Sequence, residues 1–455
     1  MRGGGILIGI IFLPKKIMKK LTALSTLFAL ATSAFAADLT LDATKIPTDS
    51  STSWSWNDTN MWLPADSTLD GNNLTFTGTF ENATTSTMDA DITANDVVFS
   101  VANNSSKSFS LNSGSYKLTA NSITFDSTNN SSYYNFNVSS GGIVVENDLV
   151  AKTSNGNTQY VELSVGGKKL TVKGNLYITN NKATDNFLIS GETNVTGAIK
   201  MKAADNADGA KLNIQMWNQT FGGIDDCGIE ADHVLKTEWG GDFKLNVKQD
   251  YKWHGALDGR ALKLVMYKSS TATQRFEITS GTFGKITVNG GRLELSTEST
   301  NTNGELTING GVLMHEGDMT VDSVNLVNGA INYTDESGTI ISNGSLAKVK
   351  ITLQYVDGTG WVETNREAIE EQFVYDFTGL TKAGTYDLIT FTSVAEGISD
   401  DANDDFVAIN LKEGLTADFV YNGNTLQAIV VPEPATVATI FGAIALALAV
   451  YRRRK

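Results

Sequence analysis

The feature that most constrains this chain is an internal repeat. Residues 92–99 (ITANDVVF) are followed by 118–125 (LTANSITF), then by 144–150 (VVENDLV) and 170–178 (LTVKGNLYI). The starts at positions 92, 118, 144 and 170 are evenly spaced, and a shorter copy begins at Val195. Each copy reads as two short alternating strands with Asn or Gly at the corner. Alternation sends one set of side chains inward and the other outward. A Gly-containing turn precedes most copies, at Gly114, Gly141 with Gly142, Gly166 with Gly167, and Gly191. One such unit cannot bury its apolar face alone, whereas stacked units make a continuous core. The expected fold class is all-β: a parallel β-helix (β-solenoid) over residues 81–350, with a cap at each end.

A second array follows a different, shorter step. Residues 284–295 (GKITVNGGRLEL) are echoed by 304–315 (GELTINGGVLMH) and by a looser copy at 324–333. Asn-Gly is also a strong hairpin signal, but the near-constant step favours coils. The strand–NGG–strand form resembles the repeat of autotransporter-associated passengers, which implies a right-handed parallel β-helix. Residues 202–275 lie between the arrays, are less regular, and read as larger coils with excursions.

The ends of such a core need closing. In residues 37–80, Trp54, Trp56 and Trp62 precede an alternating strand at 74–80. Tryptophans there either plug the open core or form a platform for sugar rings, and the plug is the expected role. The pattern resembles the start of many autotransporter-like passengers. In the closing segment, 351–431, TNRE at 364–367 has capping-box spacing and predicts a short helix over 367–373. Alternating strands are expected at 385–391 and 425–431, with Asn422 and Gly423 turning a hairpin. This ending resembles the closing segment of the same passengers. A capped last coil prevents edge-to-edge aggregation.

The two extremes carry export features. From Met18, Lys19 and Lys20 form a basic start, 21–30 is apolar, and Ala34-Phe35-Ala36 is a small-x-small cleavage box. This reads as a signal peptide over 1–36, with Met18 a better start than Met1. The tail, 432–455, has three parts: Pro432-Glu433-Pro434, an apolar run over 435–451, and the basic flank Arg452, Arg453, Arg454 and Lys455. At 1.5 Å per residue the run covers ~25 Å as a helix, just short of a bilayer core. Its basic flank would stay cytoplasmic. The layout of 432–455 resembles the PEP-CTERM sorting signal of Gram-negative bacteria. That resemblance implies a C-terminal transmembrane sorting helix, transient inner-membrane anchoring, and removal of the tail by an exosortase, a membrane transpeptidase-like enzyme. It further implies a final place at the cell surface or outside, with exopolysaccharide as a partner.

The body names no reaction. The formal net charge is −15; without the +5 of residues 1–36 and the +3 of the tail, residues 37–431 carry −23. So acidic a body argues against nucleic acid as a partner. The single cysteine, Cys227, rules out an intrachain disulfide and is expected to be small and partly buried. His233, His254 and His315 have no metal-pair spacing. Asp225-Asp226 and Asp404-Asp405 read as solvated loop acids. Asp401, Asn403 and Asp405 form a D-x-N-x-D candidate for Ca²⁺, but Phe406 and Lys412 break the EF-hand pattern. No cofactor is expected. The leading expectation is a non-catalytic surface or matrix protein. The alternatives are a polysaccharide lyase or hydrolase on a β-helix and an ice-binding solenoid, the latter against a threonine row that Val145 breaks.

Overall fold

The structure, a computed structural model, describes residues 36–47, 53–80, 84–103, 108–127, 133–137, 141–153, 160–180, 186–203, 211–215, 219–228, 233–237, 242–259, 262–267, 271–297, 303–356, 360–394 and 397–453. Apolar residues at alternate positions turn one side of each short strand inward: Leu118, Ala120, Ile123 and Phe125 are all buried. The strands stack in parallel into three faces of a β-solenoid. The first face pairs 92–94 with 118–120, 143–145, 170–172, 193–195, 219–221 and 243–245 in turn. It continues through 264–266, 286–288 and 306–308. The second face begins 74–80, 97–103, 123–127, 149–153, 176–180 and 199–203. The third begins 84–87, 109–112, 133–137, 160–164 and 186–190.

The repeat read from the sequence is the coil, with one correction. Leu118 stands opposite Ile143, not Val144, and Ile143 stands opposite Leu170. Ile143 and Val145 are buried and Val144 faces out; aligning Val144 with Leu118 would flip that strand to the wrong face. The outward column therefore reads Thr93, Thr119, Val144, Thr171, Asn194, so Val144 interrupts the threonines, not Val145. The NGG segments are coils as well, with Ile286 parallel to Leu306 and Arg292 to Val312. The middle coils are not larger. First-face partners run from Gln219 and Phe243 to Leu264, Ile286, Leu306 and Val324, drawing closer in sequence as the coil shortens toward the C-terminal end.

One corner explains how coils of different length stay in register. Asn95 donates its side-chain amide to Asn73 Oδ1 (2.7 Å), and Asn147 to Asn121 Oδ1 (2.5 Å). Further along, glycines replace the asparagines: Gly174 N–H bonds to Asn147 O, and Gly197 N–H to Gly174 O. A Cβ on Gly174 would lie 2.4 Å from the Asn147 carbonyl oxygen, so only glycine permits that approach. The column satisfies corner amides that would otherwise be unpaired in each turn.

At the N-terminal end, Trp56 and Trp62 are fully buried against Phe76, at centroid distances of 4.6 and 5.1 Å. Phe76, Phe99 and Phe125 continue inward as a stack at 4.5 and 5.1 Å. Trp56 donates to Ser86 Oγ and Trp62 to the Trp56 carbonyl. The tryptophans plug the core, as expected, and do not form an exposed sugar platform.

The other end departs from expectation in one place. The short helix over 367–373 is absent. Strands Val349–Val356 and Gly360–Ala368 pair antiparallel as a hairpin that leaves the solenoid after Lys348. Thr364 donates its hydroxyl to the Thr352 carbonyl instead of capping a helix. β-Branched and aromatic residues through 349–362 pair well across strands, and cross-strand packing overrides one local capping signal. Closure then proceeds as read. Gly384–Thr390 pairs antiparallel with Thr425–Pro432, which pairs with Leu415–Asn422 across a turn at Gly423, φ +59°.

Candidate functional site

The hairpin 349–368 and the first face of the solenoid enclose a cleft of about 630 Å³. Its floor is built by alternation. Ile286, Val288, Leu306 and Ile308 point inward and are buried. Their neighbours Lys285, Thr287, Asn289, Glu305, Thr307 and Asn309 therefore face the cleft. The register puts Lys285 opposite Glu305 and Thr287 opposite Thr307, with Asn325 next in that column. Lys285 Nζ lies 3.2 Å from Glu305 Oε2, and Thr307 donates to Glu305 Oε1 at 3.0 Å. Asn309 donates to Asn289 Oδ1 at 3.2 Å.

The opposite wall is the hairpin, presenting Lys350, Ile351, Glu363 and Arg366. Its root is held by Asn325, whose Oδ1 accepts from Val349 N–H at 3.2 Å. Arg366 grips Glu363 with two bonds, 2.9 and 3.0 Å. That guanidinium hydrogen bond holds the Glu363 carboxyl below the usual carboxylate range. The lining is thus rich in hydroxyl and amide groups, which both donate and accept. Its acids Glu305 and Glu363 are matched by Lys285 and Arg366, and among the described lining residues there is no aromatic side chain. Such a surface suits a hydroxyl-rich, weakly charged ligand better than an apolar one or a polyanion.

The residues singled out from sequence fall elsewhere. Pro432, Glu433 and Pro434 are exposed at the junction between the last strand and a 20-residue helix, Pro434–Arg453. Glu433 N–H bonds to the Gly414 carbonyl at 2.8 Å. That helix carries Ile440, Phe441, Ile444, Leu446, Leu448 and Val450 exposed, Leu446 at 68%. Among the described residues no helix is long and apolar enough to cross a membrane. Arg452 is exposed near its end, and Arg454, Lys455 and Ala34 lie outside the described residues, whereas Ala36 is the first described residue.

The candidate Ca²⁺ oxygens do not converge. Asp401 accepts from Asn403 N–H at the start of the short helix Ala402–Asp405. Asn403 bonds to both the N–H and the carbonyl of Phe419. Asp405 is buried and paired with Lys348 at 2.8 Å. Asp405 is therefore no solvated loop acid, and neither is Asp226, which is 1% exposed and whose carboxyl burial pushes up. Asp225 is paired with Lys200. Cys227 is exposed, in a left-handed conformation at φ +59°, instead of partly buried. His315 is buried in the core, its Nδ1 at 2.9 Å from the Gly317 carbonyl oxygen.

The cleft was half visible beforehand. Its floor residues sit at equivalent positions of the NGG repeat: 285 and 305, 287 and 307, 289 and 309. Nothing in that repeat signals the wall, because the hairpin lies beyond it, and the one local signal on its second strand, TNRE at 364–367, predicts a helix over 367–373 instead. Comparison with models of known protein families, with curated proteins and with solved structures finds no match for this chain.

Proposed function

We propose that this is an exported, non-catalytic surface or extracellular-matrix protein whose cleft beside the 349–368 hairpin holds a hydroxyl-rich polymer of the polysaccharide class. The observation that carries the reading is the cleft's lining of paired charges, threonines and asparagines on an extended solenoid face. Hydrogen-bonding groups recur there at the strand spacing of ~4.8 Å. The coils are read as right-handed, the hand nearly all parallel crossovers take. Residues 432–455 are read as a PEP-CTERM tail. Its helix rests temporarily in the inner membrane, and an exosortase then cuts near Pro432-Glu433-Pro434. The exposed apolar side chains of that helix support this reading, since they need a nonpolar environment.

The test pairs a glycan array with a lyase and hydrolase screen on the same samples. The expected result is binding without turnover, weakened at least tenfold by Thr287→Val with Thr307→Val. Turnover would favour the polysaccharide-active enzyme instead, and unaltered binding in the variant would move the ligand away from the cleft. Separately, extracellular protein that still carries Arg452 would contradict the sorting step.

A further inference from the structure

We propose that Lys348 and Asp405 join covalently, forming an intramolecular amide that staples the C-terminal cap to the solenoid. Lys348 leaves the first face immediately after Ala347, where the hairpin departs, and its carbonyl accepts Ile369 N–H on the hairpin's return. Asp405 ends the short helix Ala402–Asp405 of the cap. Their side chains are 1% and 5% exposed, with Nζ 2.8 Å from Oδ1. Phe406, Phe419 and Tyr421 pack together beside the pair, Phe406 lying 5.8 Å from Phe419 and 6.5 Å from Tyr421. Excluding water removes the hydration that otherwise holds an ammonium and a carboxylate apart as ions. A nitrogen hydrogen-bonded to Oδ1 is one bond away from Cγ, the carbon it must approach to ~3–3.5 Å for attack.

The two carboxyl oxygens are placed differently. Oδ1 faces the lysine. Oδ2 accepts from Ser399 N–H at 2.7 Å and from the Tyr421 hydroxyl at 3.1 Å. Two donors on one oxygen form an oxyanion hole for a tetrahedral carbon. A proton passes from Nζ to Oδ1. The freed lone pair on Nζ attacks Cγ, forming the C–N bond, and negative charge gathers on Oδ2 between its donors. The Cγ–Oδ1 bond then breaks as Nζ gives up a second proton, and Oδ1 leaves as water. An ammonium and a carboxylate become a secondary amide and one water, with no oxidant or co-reactant. In a chain with a single cysteine, this is a covalent closure that disulfides cannot supply.

The test is a tryptic map of the purified, denatured full chain. Cleavage is expected after Lys350 but not after Lys348, with a branched peptide linking the Lys348 and Asp405 segments and lighter than their sum by one water. Tyr421→Phe should leave a larger linear fraction at a fixed time after refolding, because one oxyanion donor is gone. Asp405→Ala should restore cleavage after Lys348. Should that variant misfold, the wild-type map alone decides: linear peptides with cleavable Lys348 and unmodified Asp405 overturn the proposal.

Discussion

The two ends of the solenoid are closed by opposite chemistry. The N-terminal end is plugged by Trp56 and Trp62 on a ring stack through Phe76, Phe99 and Phe125, with both of these indole N–H groups satisfied. The C-terminal end also buries aromatics, Tyr375, Phe377, Phe406 and Phe419, but it embeds Lys348, Asp405 and the Tyr421 hydroxyl among them. An apolar plug tolerates small shifts because burial is non-directional. The Lys348–Asp405 pair tolerates few: as ions, their attraction must offset the desolvation of both charges, and as the proposed amide, the bond fixes both partners at one geometry. The first end is sealed by area and the second by geometry. In a stack where each coil touches only its neighbours, either cap can fray without unfolding the middle.

Truncating each seal gives the largest expected effects. Trp56→Ala should cost about 3–5 kcal/mol through lost burial and the cavity it leaves. Lys348→Met should cost a similar ~3–5 kcal/mol, because Asp405 is left charged and buried. Local hydrogen exchange should place the first loss in residues 74–99 and the second in residues 374–430. The double variant Lys348→Met with Asp405→Leu separates the two chemistries. It should recover much of the single-variant loss if the pair acts as an ion pair, and less if the two residues are covalently joined. A second substitution next to Trp56 should bring no such recovery. Equal recovery at both ends would erase the contrast.

The contrast also marks how far the sequence could be read. Coil, period and tryptophan plug were legible because each is a local pattern: alternation at 92–99, the same alternation again at 118–125, and aromatics before the first strand. The single-residue slip at Ile143 was not, because VV at 144–145 copies the apolar spacing of its neighbours, while the extra residue, Glu146, enters at the corner between Val145 opposite Ala120 and Asn147 opposite Asn121. The C-terminal seal was invisible for a different reason. Lys348 and Asp405 lie 57 residues apart, and an Asp in DANDD reads as a solvated turn until the fold sets a lysine against it. The cleft's floor was written in the NGG repeat and its wall was hidden by TNRE, whose capping spacing lost to strand pairing.

Acid should find the same asymmetry with a smaller effect. His315 is buried, and burial lowers its pKa below the ordinary 6.5. The folded state then binds fewer protons than the unfolded chain once the pH falls below about 6.5, so stability present above that pH is lost progressively below it. His315 lies in the C-terminal part of the stack, as do the buried Lys348 and Asp405. Exchange at pH 5 should therefore rise in residues 305–332 before it rises in residues 92–125. His315→Gln should flatten that difference. A uniform rise along the stack would place the acid-sensitive group elsewhere.

The smallest effect should have the opposite sign. Tyr375 is buried against Phe373, Phe377, Phe406 and Phe419, and its hydroxyl has no hydrogen-bond partner among the described residues. Burial raises its pKa far above the ordinary value, so it stays a neutral, unbonded O–H at any working pH. A buried hydroxyl without a partner costs free energy that a hydrogen atom in its place does not. Tyr375→Phe keeps the ring and its contacts, so it should stabilise the C-terminal cap by about 1 kcal/mol, read as slower exchange in residues 373–376 and 406–409. The same loss of hydroxyl at Tyr421 should destabilise, since that one donates to Asp405. Two tyrosines in one aromatic cluster would then respond with opposite signs. A destabilised Tyr375→Phe would mean that its hydroxyl, like that of Tyr421, belongs to the polar seal.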